Sequence, residues 1–327
     1  MAKIPELSDL FLAAADIEAE TPITIGVNKV GPDGRFIRPQ PIKRQAWDAW
    51  ASSFPLKEMK RLNFSLPRVS SDAEAVLGFF GVSSPEGWQA AWQATSTALA
   101  FRQTKVFEAR LEAVAAWIRE AEIIASQIPL ADFNETKLRG SLDELRSLTQ
   151  EKTEVGLSRA QAICSKAGVA VVLVPELPGT RVSGCAKWLN DKHAMVGLTL
   201  RYKSDDQLWF TFFHEVGHIL LHRDLHLLVV DNAADHMGDG VVDPDMANCE
   251  READRFAADT LIAPDDFAKL LRHKKEELTN EVIYGFAKSI GIGPAIVVGR
   301  LQHDKQLDLW QGNDFKQKLN WGFVSEG

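Results

Sequence analysis

Apolar residues in the first half of the chain recur at the spacing of a helix. The clearest series, with intervals of three or four positions, consists of Phe107, Leu111, Val114 and Ile118. This spacing places the series on one face and predicts a helix over about residues 105–126. Capping and stop residues predict a second helix between Ser71 and Gly81. A third helix is predicted to begin at Asn134 and to run to about Leu148.

The same half holds five tryptophans, namely Trp47, Trp50, Trp88, Trp92 and Trp117. A tryptophan side chain buries a large apolar area, so a stripe of them is more often core than binding surface. We therefore predict that these side chains pack in a core. Residues 1–150 are predicted to form a mainly helical N-terminal module, in which residues 1–45 are irregular.

The pattern changes after about residue 150, where strands and helices mix. Three segments are predicted as strands: 169–177, 183–189 and 193–200. Because helical patterns flank them, we predict an α+β fold with a small sheet packed on helices. Residues 151–275 are predicted to form this domain.

The chain after Pro264 is helical again by its pattern. Two helices are predicted, over 280–290 and 294–302, separated by Gly291-Ile292-Gly293 in the manner of a helix-turn-helix. Residues 276–327 are therefore predicted to form a helical C-terminal region. It would serve either as a cap on the preceding domain or as a platform that positions a protein substrate.

Composition narrows the classes of function. The net charge of −8 argues against nonspecific binding of nucleic acid, and Arg300, His303 and Lys305 are weak evidence for a local contact. The three cysteines are widely spaced and form neither a disulfide framework nor a CxxC pair. No apolar run reaches the roughly 18 residues of a membrane span. We therefore expect no membrane partner and a cytoplasmic, reducing location.

The most informative segment of the chain is His214-Glu215-Val216-Gly217-His218. Histidines four positions apart share one face of a helix, so both imidazoles can bind one zinc ion. Glu215 lies between them and is predicted to act as the general base for a metal-activated water. Gly217 is predicted to let another backbone approach the metal-binding face. The competing interpretation is a buried helix whose histidines are ordinary core residues.

A catalytic zinc ion normally takes a third protein ligand. Glu250 and Asp254 lie one turn apart on a predicted helix that ends before Pro264. Glu250 could bind the metal while Asp254 accepts the remaining N–H of a ligating histidine. Glu252, which points away from Asp254, is the alternative metal ligand.

Other polar residues are candidates for contact with the ligands or with substrate. His222 lies about 12 Å along the helix axis from His214, too far for both to bind one ion, and is predicted to end the helix. A donor that stabilises the oxyanion is also needed, and Tyr202, His222 and His226 are candidates.

At these residues the chain resembles the ImmA/IrrE family of zinc metallopeptidases. The resemblance rests on RYKSDDQLWF (201–210), FTFFHEVGHILLH (210–222), EREADRFAADTLIAP (250–264) and FAKSIGIGPAIVVGRLQHD (286–304). It implies a zincin-like, more narrowly gluzincin-like, domain with one Zn²⁺ per chain. His214, His218 and Glu250 carry over as ligands, and Glu215 carries over as the catalytic base.

Two functions of different classes are predicted. The first is a zinc-dependent endopeptidase whose protein substrate, by the resemblance, is a transcriptional repressor or toxin–antitoxin partner in a stress or mobile-element response. The second is a non-catalytic regulatory or antitoxin-like binding protein with a structural zinc site. For the peptidase, strand 183–189 or 193–199 is predicted to pair its free edge with an extended substrate peptide.

Overall fold

A computed structural model describes residues 29–30, 36–37, 41–100, 111–223, 229–231 and 244–321. The chain divides into two compact units. The first comprises the described residues up to 100 together with 111–120 and 177–180. The second comprises residues 121–176 and the described residues from 181 onward. Helices and strands both occur, which confirms the predicted α+β class, whereas the predicted domain boundaries stay a prediction.

The first unit is mainly helical over its described residues. Its helices are α1 (Pro41–Ala51), α2 (Leu56–Arg61), α3 (Asp72–Phe80), α4 (Pro85–Ala100) and the first part of α5 (Leu111–Ser126), and a two-residue strand pair, β1 (Lys29–Val30) with β2 (Phe36–Ile37), precedes them. The bounds predicted for α3 are confirmed, because the Ser71 hydroxyl accepts a hydrogen bond from the Glu74 amide and Gly81 ends the helix with a φ of 71°. The predicted helix over 105–126 is confirmed from Leu111 onward, and its first residues, including Phe107, lie outside the described residues.

Aromatic rings fill the interior of this unit. Trp88, Trp92 and Trp117 are buried, which confirms the prediction that they are core, whereas Trp47 and Trp50 are half-buried. The Trp88 ring packs edge-on against Phe54 with centroids 5.1 Å apart. Such edge-to-face pairs stabilise a core beyond the area they bury, by about 0.5–1.5 kcal/mol each.

The second unit begins with a run of short helices. They are α6 (Glu135–Gly140), α7 (Leu142–Ser147), a 3₁₀ turn (Leu148–Gln150) and α8 (Thr153–Lys166). Asn134 caps α6 as predicted, since its side chain accepts from the Lys137 amide at 2.8 Å. The single helix predicted to run to about Leu148 is wrong, because the chain breaks at Ser141. The Ser141 hydroxyl donates to the Lys137 carbonyl at 2.8 Å, a local bond that competes with the helical ladder.

A four-stranded sheet, ordered β3-β5-β4-β6, forms the centre of the second unit. Its strands are β3 (Val169–Leu173), β4 (Gly184–Asn190), β5 (His193–Leu198) and β6 (Val229–Asp231). β3 pairs parallel with β5, and the hairpin of β4 and β5 is antiparallel. The three predicted strands are confirmed, and β6 adds a fourth that its sequence did not indicate.

The strand order corrects the expected place for peptide binding. β5 lies between two strands, and β4 is covered by β6 over residues 184–186. Neither strand can offer a fully free edge to a substrate as predicted. In the part of the chain that the structure describes, the outer strands are β3 and β6.

The helix that carries the two motif histidines, α9 (Asp205–Leu221), is buried on nearly all sides. Even the polar side chain of Thr211 is buried, and Leu221 at the end of the helix is exposed. The physical reason is that the sheet covers one side of α9 while two later helices, α10 (Pro244–Leu261) and α13 (Pro294–His303), pack on others. The site is thus built on a rigid central element.

The first turn of α9 is completed by a distant segment. The Asp205 amide donates to the Gln317 carbonyl at 3.2 Å, and the Gln317 amide donates to Asp205 Oδ1 at 2.9 Å. Gln317 Oε1 also accepts from the amide and the hydroxyl of Thr153 at the start of α8, at 3.1 and 2.9 Å. Residue 317 therefore ties the beginnings of two helices together.

The remaining helices are α11 (Pro264–Leu270) and α12 (Asn280–Ile290), which precedes α13. The predicted bounds of α12 and α13 are confirmed to within one residue, and Gly291 ends α12 with a φ of 71°. By length and composition no single described helix could cross a membrane, and only α12 and α13 taken together, bent by 114°, pass that test.

Asp205 makes the stability of this region depend on pH. Burial raises the pKa of Asp205 to about 6, from 3.8, and repulsion from Asp206 adds to the rise. The folded protein therefore binds this proton more tightly than the unfolded chain, so the contribution of Asp205 to stability is full below about pH 3.8 and is lost as the pH rises through about 6. Asp205→Asn should remove this dependence. We expect the melting temperature of the natural protein to rise relative to that of Asp205→Asn as the pH falls from 7.5 to 5. Parallel melting curves across that range would contradict the assignment.

Candidate metal centre and active site

His214 and His218 meet because α9 is regular and buried where they lie. One turn of helix separates them, and their Nε2 atoms are 3.0 Å apart. Both side chains are at least 97% buried. Two imidazole nitrogens aimed at one point is the arrangement that the four-residue spacing predicted.

Glu250 on α10 comes to the same point. Its Oε2 lies 3.4 Å from His214 Nε2, and its Oε1 lies 3.5 Å from His218 Nε2. The two helices can approach because Gly217 has no side chain: a Cβ there would lie 3.0 Å from the Phe256 ring and 3.4 Å from the Ala253 Cα. The close approach predicted at Gly217 is therefore confirmed, and it brings Glu250 within reach.

The three side chains fit a zinc ion by chemistry and by spacing. Two imidazoles and a carboxylate are donors that zinc prefers, at about 2.0–2.2 Å. Donor atoms around a tetrahedral ion at those distances lie about 3.3–3.5 Å from one another. Here the two Nε2 atoms are 3.0 Å apart, and each faces a different oxygen of Glu250, at 3.4 and 3.5 Å. Among the described residues these three are the group able to hold a metal.

Asp254 lies where the helical spacing predicted it. Its Oδ1 is 2.9 Å from His214 Nδ1, the ring nitrogen that points away from the cluster. A hydrogen bond there holds the proton of His214 on Nδ1 and leaves Nε2 free to bind a metal. Asp254 is thus placed to orient a ligand.

Glu252, the alternative ligand, points elsewhere. Its Oε2 lies 3.0 Å from His222 Nε2, and its Oε1 accepts from Asn248 Nδ2 at 2.7 Å. The hydrogen bond with His222 lowers the pKa of Glu252 below its usual value. Glu252 thus contacts His222 and Asn248 and does not belong to the cluster of His214, His218 and Glu250.

His222 ends α9, as predicted. Its amide donates to the His218 carbonyl, and its side chain is buried. Its Nδ1 lies 3.0 Å from His218 Nδ1. His222 thus contacts a candidate ligand and is not one itself.

Glu215 is fully buried beside the sheet. A Cβ at Gly184 of β4 would lie 2.7 Å from Glu215 Oε1 and 2.6 Å from Thr211 Cγ2, so only glycine leaves room for the carboxylate. The neighbouring Cys185 thiol stays neutral, because burial and the nearby Glu215 raise its pKa. Gly184 was not predicted from the sequence, although a glycine inside a predicted strand is a usable signal for close approach.

The candidates for the oxyanion donor are less well placed by the structure. Tyr202 lies just before α9 with 38% of its surface exposed, and the Arg201 guanidinium lies 5.5 Å from its ring centre. His226 lies outside the described residues. The role of either residue as donor stays a prediction.

A cavity of about 480 Å³ lies between α9, α10 and α13. Apolar side chains such as Phe210 and Ile262 line it together with charged ones such as Asp259 and Arg300. Asp254, whose Oδ1 lies 2.9 Å from His214 Nδ1, also lines it, so the cavity lies next to the cluster of candidate ligands. Its size is that of a small-ligand or side-chain pocket.

Comparison with known families agrees with this geometry. Residues 190–302 match the sequence model of the family Peptidase_M78, described as an IrrE N-terminal-like domain. The match covers both helices that carry the cluster. The predicted resemblance to the ImmA/IrrE family is therefore confirmed over residues 190–302. No curated protein matches the chain.

Proposed function

We propose that this protein is a zinc-dependent endopeptidase with a zincin-like, gluzincin-type site. The observation that carries the proposal is the convergence of His214, His218 and Glu250 within 4.8 Å of one another, next to the buried Glu215. The peptidase family match supports the same reading. His214, His218 and Glu250 would hold one zinc ion, and Asp254 would orient His214.

The chemistry then divides between the metal and the chain. A zinc ion at this position supplies a Lewis acid that activates water and polarises the scissile carbonyl. The Glu215 carboxylate accepts the proton of the attacking water and returns it to the nitrogen of the leaving amine. Because Glu215 is fully buried, its position is preorganised for this transfer.

The chain around the cluster offers places for a substrate. Among the described residues, an extended peptide could join the sheet at the outer edge of β6, or at the part of β4 beyond residue 186 that β6 does not cover. The cavity that shares Asp254 with the cluster would take a substrate side chain. The substrate that we propose is a DNA-binding repressor or toxin–antitoxin partner in the cytoplasm, a class that rests on the family resemblance.

The rival function is a non-catalytic regulatory protein with a structural zinc site. A structural zinc site is normally closed by four protein ligands, whereas the cluster among the described residues has three. A buried carboxylate beside it, Glu215, also has no use in a structural site. Both observations favour the peptidase.

Chelation tests the two functions directly. We expect purified protein to contain about one zinc per chain and to cleave the repressor encoded nearest to its gene. Removal of zinc with a chelator should stop cleavage, and added zinc should restore it, because the attacking water depends on the metal. Metal content is measured by mass spectrometry of the elements, and cleavage by electrophoresis. Stoichiometric zinc without cleavage of any co-encoded regulator would favour the rival.

A further inference from the structure

Three side chains connect the metal cluster to the protein surface. His218 Nδ1 lies 3.0 Å from His222 Nδ1, and His222 Nε2 lies 3.0 Å from Glu252 Oε2. The two imidazoles are buried, whereas the Glu252 side chain is 51% exposed. Asn248 holds the other oxygen of Glu252 at 2.7 Å. At its exposed end, this path of hydrogen bonds therefore terminates at the Glu252 carboxylate, which Asn248 holds in place.

One placement of protons satisfies every contact on this path. His218 Nε2 faces Glu250 and must carry no proton if it is to bind a metal, so the proton of the neutral ring is on Nδ1. That proton is donated to His222 Nδ1, which lies 3.0 Å away and must then be the acceptor. The proton of neutral His222 is accordingly on Nε2, where it is donated to the Glu252 carboxylate.

We propose that His222 and Glu252 are positioning residues that fix the tautomer of His218 and strengthen its binding of zinc. The inference rests on the proposed function, since it takes His218 to be a zinc ligand. The tautomer of His214 is fixed directly by Asp254, whose Oδ1 lies 2.9 Å from His214 Nδ1. The tautomer of His218 is fixed by Glu252 through the imidazole of His222. Each of the two candidate histidine ligands is thus connected by hydrogen bonds to a carboxylate on α10.

The carboxylate matters because His222 has two neutral tautomers. With Glu252 ionised, the tautomer with its proton on Nε2 is favoured. Without the Glu252 carboxylate, His222 can hold its proton on Nδ1. The Nδ1 proton of His222 then faces the Nδ1 proton of His218. That conflict pushes His218 toward the tautomer with its proton on Nε2, which cannot bind a metal. Zinc affinity falls as a result.

The test measures zinc affinity rather than turnover. Loss of an outer partner of a metal-binding histidine typically weakens metal binding by about 10- to 100-fold. We expect about a tenfold rise in the zinc dissociation constant for Glu252→Gln, and a rise of about 10- to 100-fold for His222→Phe. Affinity is determined by competition with a coloured chelator, and the visible spectrum of the cobalt-loaded protein reports on ligand geometry.

The chain offers a matched control. Glu277 is also paired with a histidine, His273, at 3.8 Å, but both are exposed on another part of the surface. Glu277→Gln should leave zinc affinity and the cobalt spectrum unchanged. Circular dichroism and melting temperature establish that each variant is folded.

A double variant tests whether Glu252 acts through His222. If it does, Glu252→Gln adds nothing once His222 is phenylalanine, and the double variant binds zinc as weakly as His222→Phe alone. Additive losses would overturn the relay. If natural protein binds zinc and Glu252→Gln binds it equally well, the positioning role is wrong while the peptidase proposal stands. If natural protein binds no zinc, the proposed function itself fails.

Discussion

Glu215→Gln is expected to lower kcat/KM for repressor cleavage by about 10²- to 10⁴-fold, the usual contribution of a positioned general base. The amide has nearly the shape of the carboxylate, so the pocket beside Gly184 still accepts it. It cannot take up the proton of the attacking water. Zinc content should stay at that of the natural protein, because none of the three clustered donor atoms belongs to residue 215.

His218→Ala provides the contrast. It removes a donor from the cluster, so we expect loss of stoichiometric zinc together with activity. Metal analysis and cleavage assays on the two variants separate a defect in proton transfer from a defect in binding. Substantial proteolysis by Glu215→Gln would remove Glu215 from the mechanism.

A large loss of stability is expected when one partner of the buried pair Lys187–Glu122 is removed. Lys187 on β4 and Glu122 on α5 form an ion pair in which the side chains are 11% and 8% exposed. Lys187→Ala takes the ammonium group away from the buried Glu122 carboxylate, at a cost of about 3–5 kcal/mol in free energy of unfolding. The midpoint of urea denaturation should fall accordingly.

The joint replacement distinguishes burial of charge from loss of packing. Lys187→Met with Glu122→Leu removes both charges and keeps the apolar volume, so its stability should equal or exceed that of the natural protein. The exposed pair Lys192–Asp132 is the matched control, and Lys192→Ala should leave the midpoint unchanged. A double replacement as unstable as the single one would show that the charges themselves stabilise the fold.

The elements and the core of the candidate site could be predicted because their signals are local. Ser71 and Gly81 bound a helix by chemistry within the helix itself. The spacing of His214 and His218, and of Glu250 and Asp254, places each pair on one face without knowledge of the rest of the chain. Local periodicity therefore paired His214 with His218 and Glu250 with Asp254, whereas the expectation that the two pairs meet came from the need for a third ligand and from the family resemblance.

Features that depend on contacts far apart in sequence were not predictable in the same way. The order of the strands in the sheet depends on which strands pair with each other. The alternation of apolar and polar side chains along one strand does not determine its neighbours. Glu252 was predicted only as an alternative metal ligand. Its contact with His222 could not be predicted, because the two residues are 30 positions apart in the sequence. The burial of α9 on nearly all sides likewise follows from three separate elements packing on it.

Gln317 sets a condition on when the helix α9 can be completed during synthesis of the chain. The first turn of α9 is closed by bonds to a residue made 112 positions after Asp205. A nascent chain still held by the ribosome can carry every residue of the cluster and yet lack this closure. The first turn of α9 should consequently be completed late in translation, after the histidines and Glu250 have long since emerged.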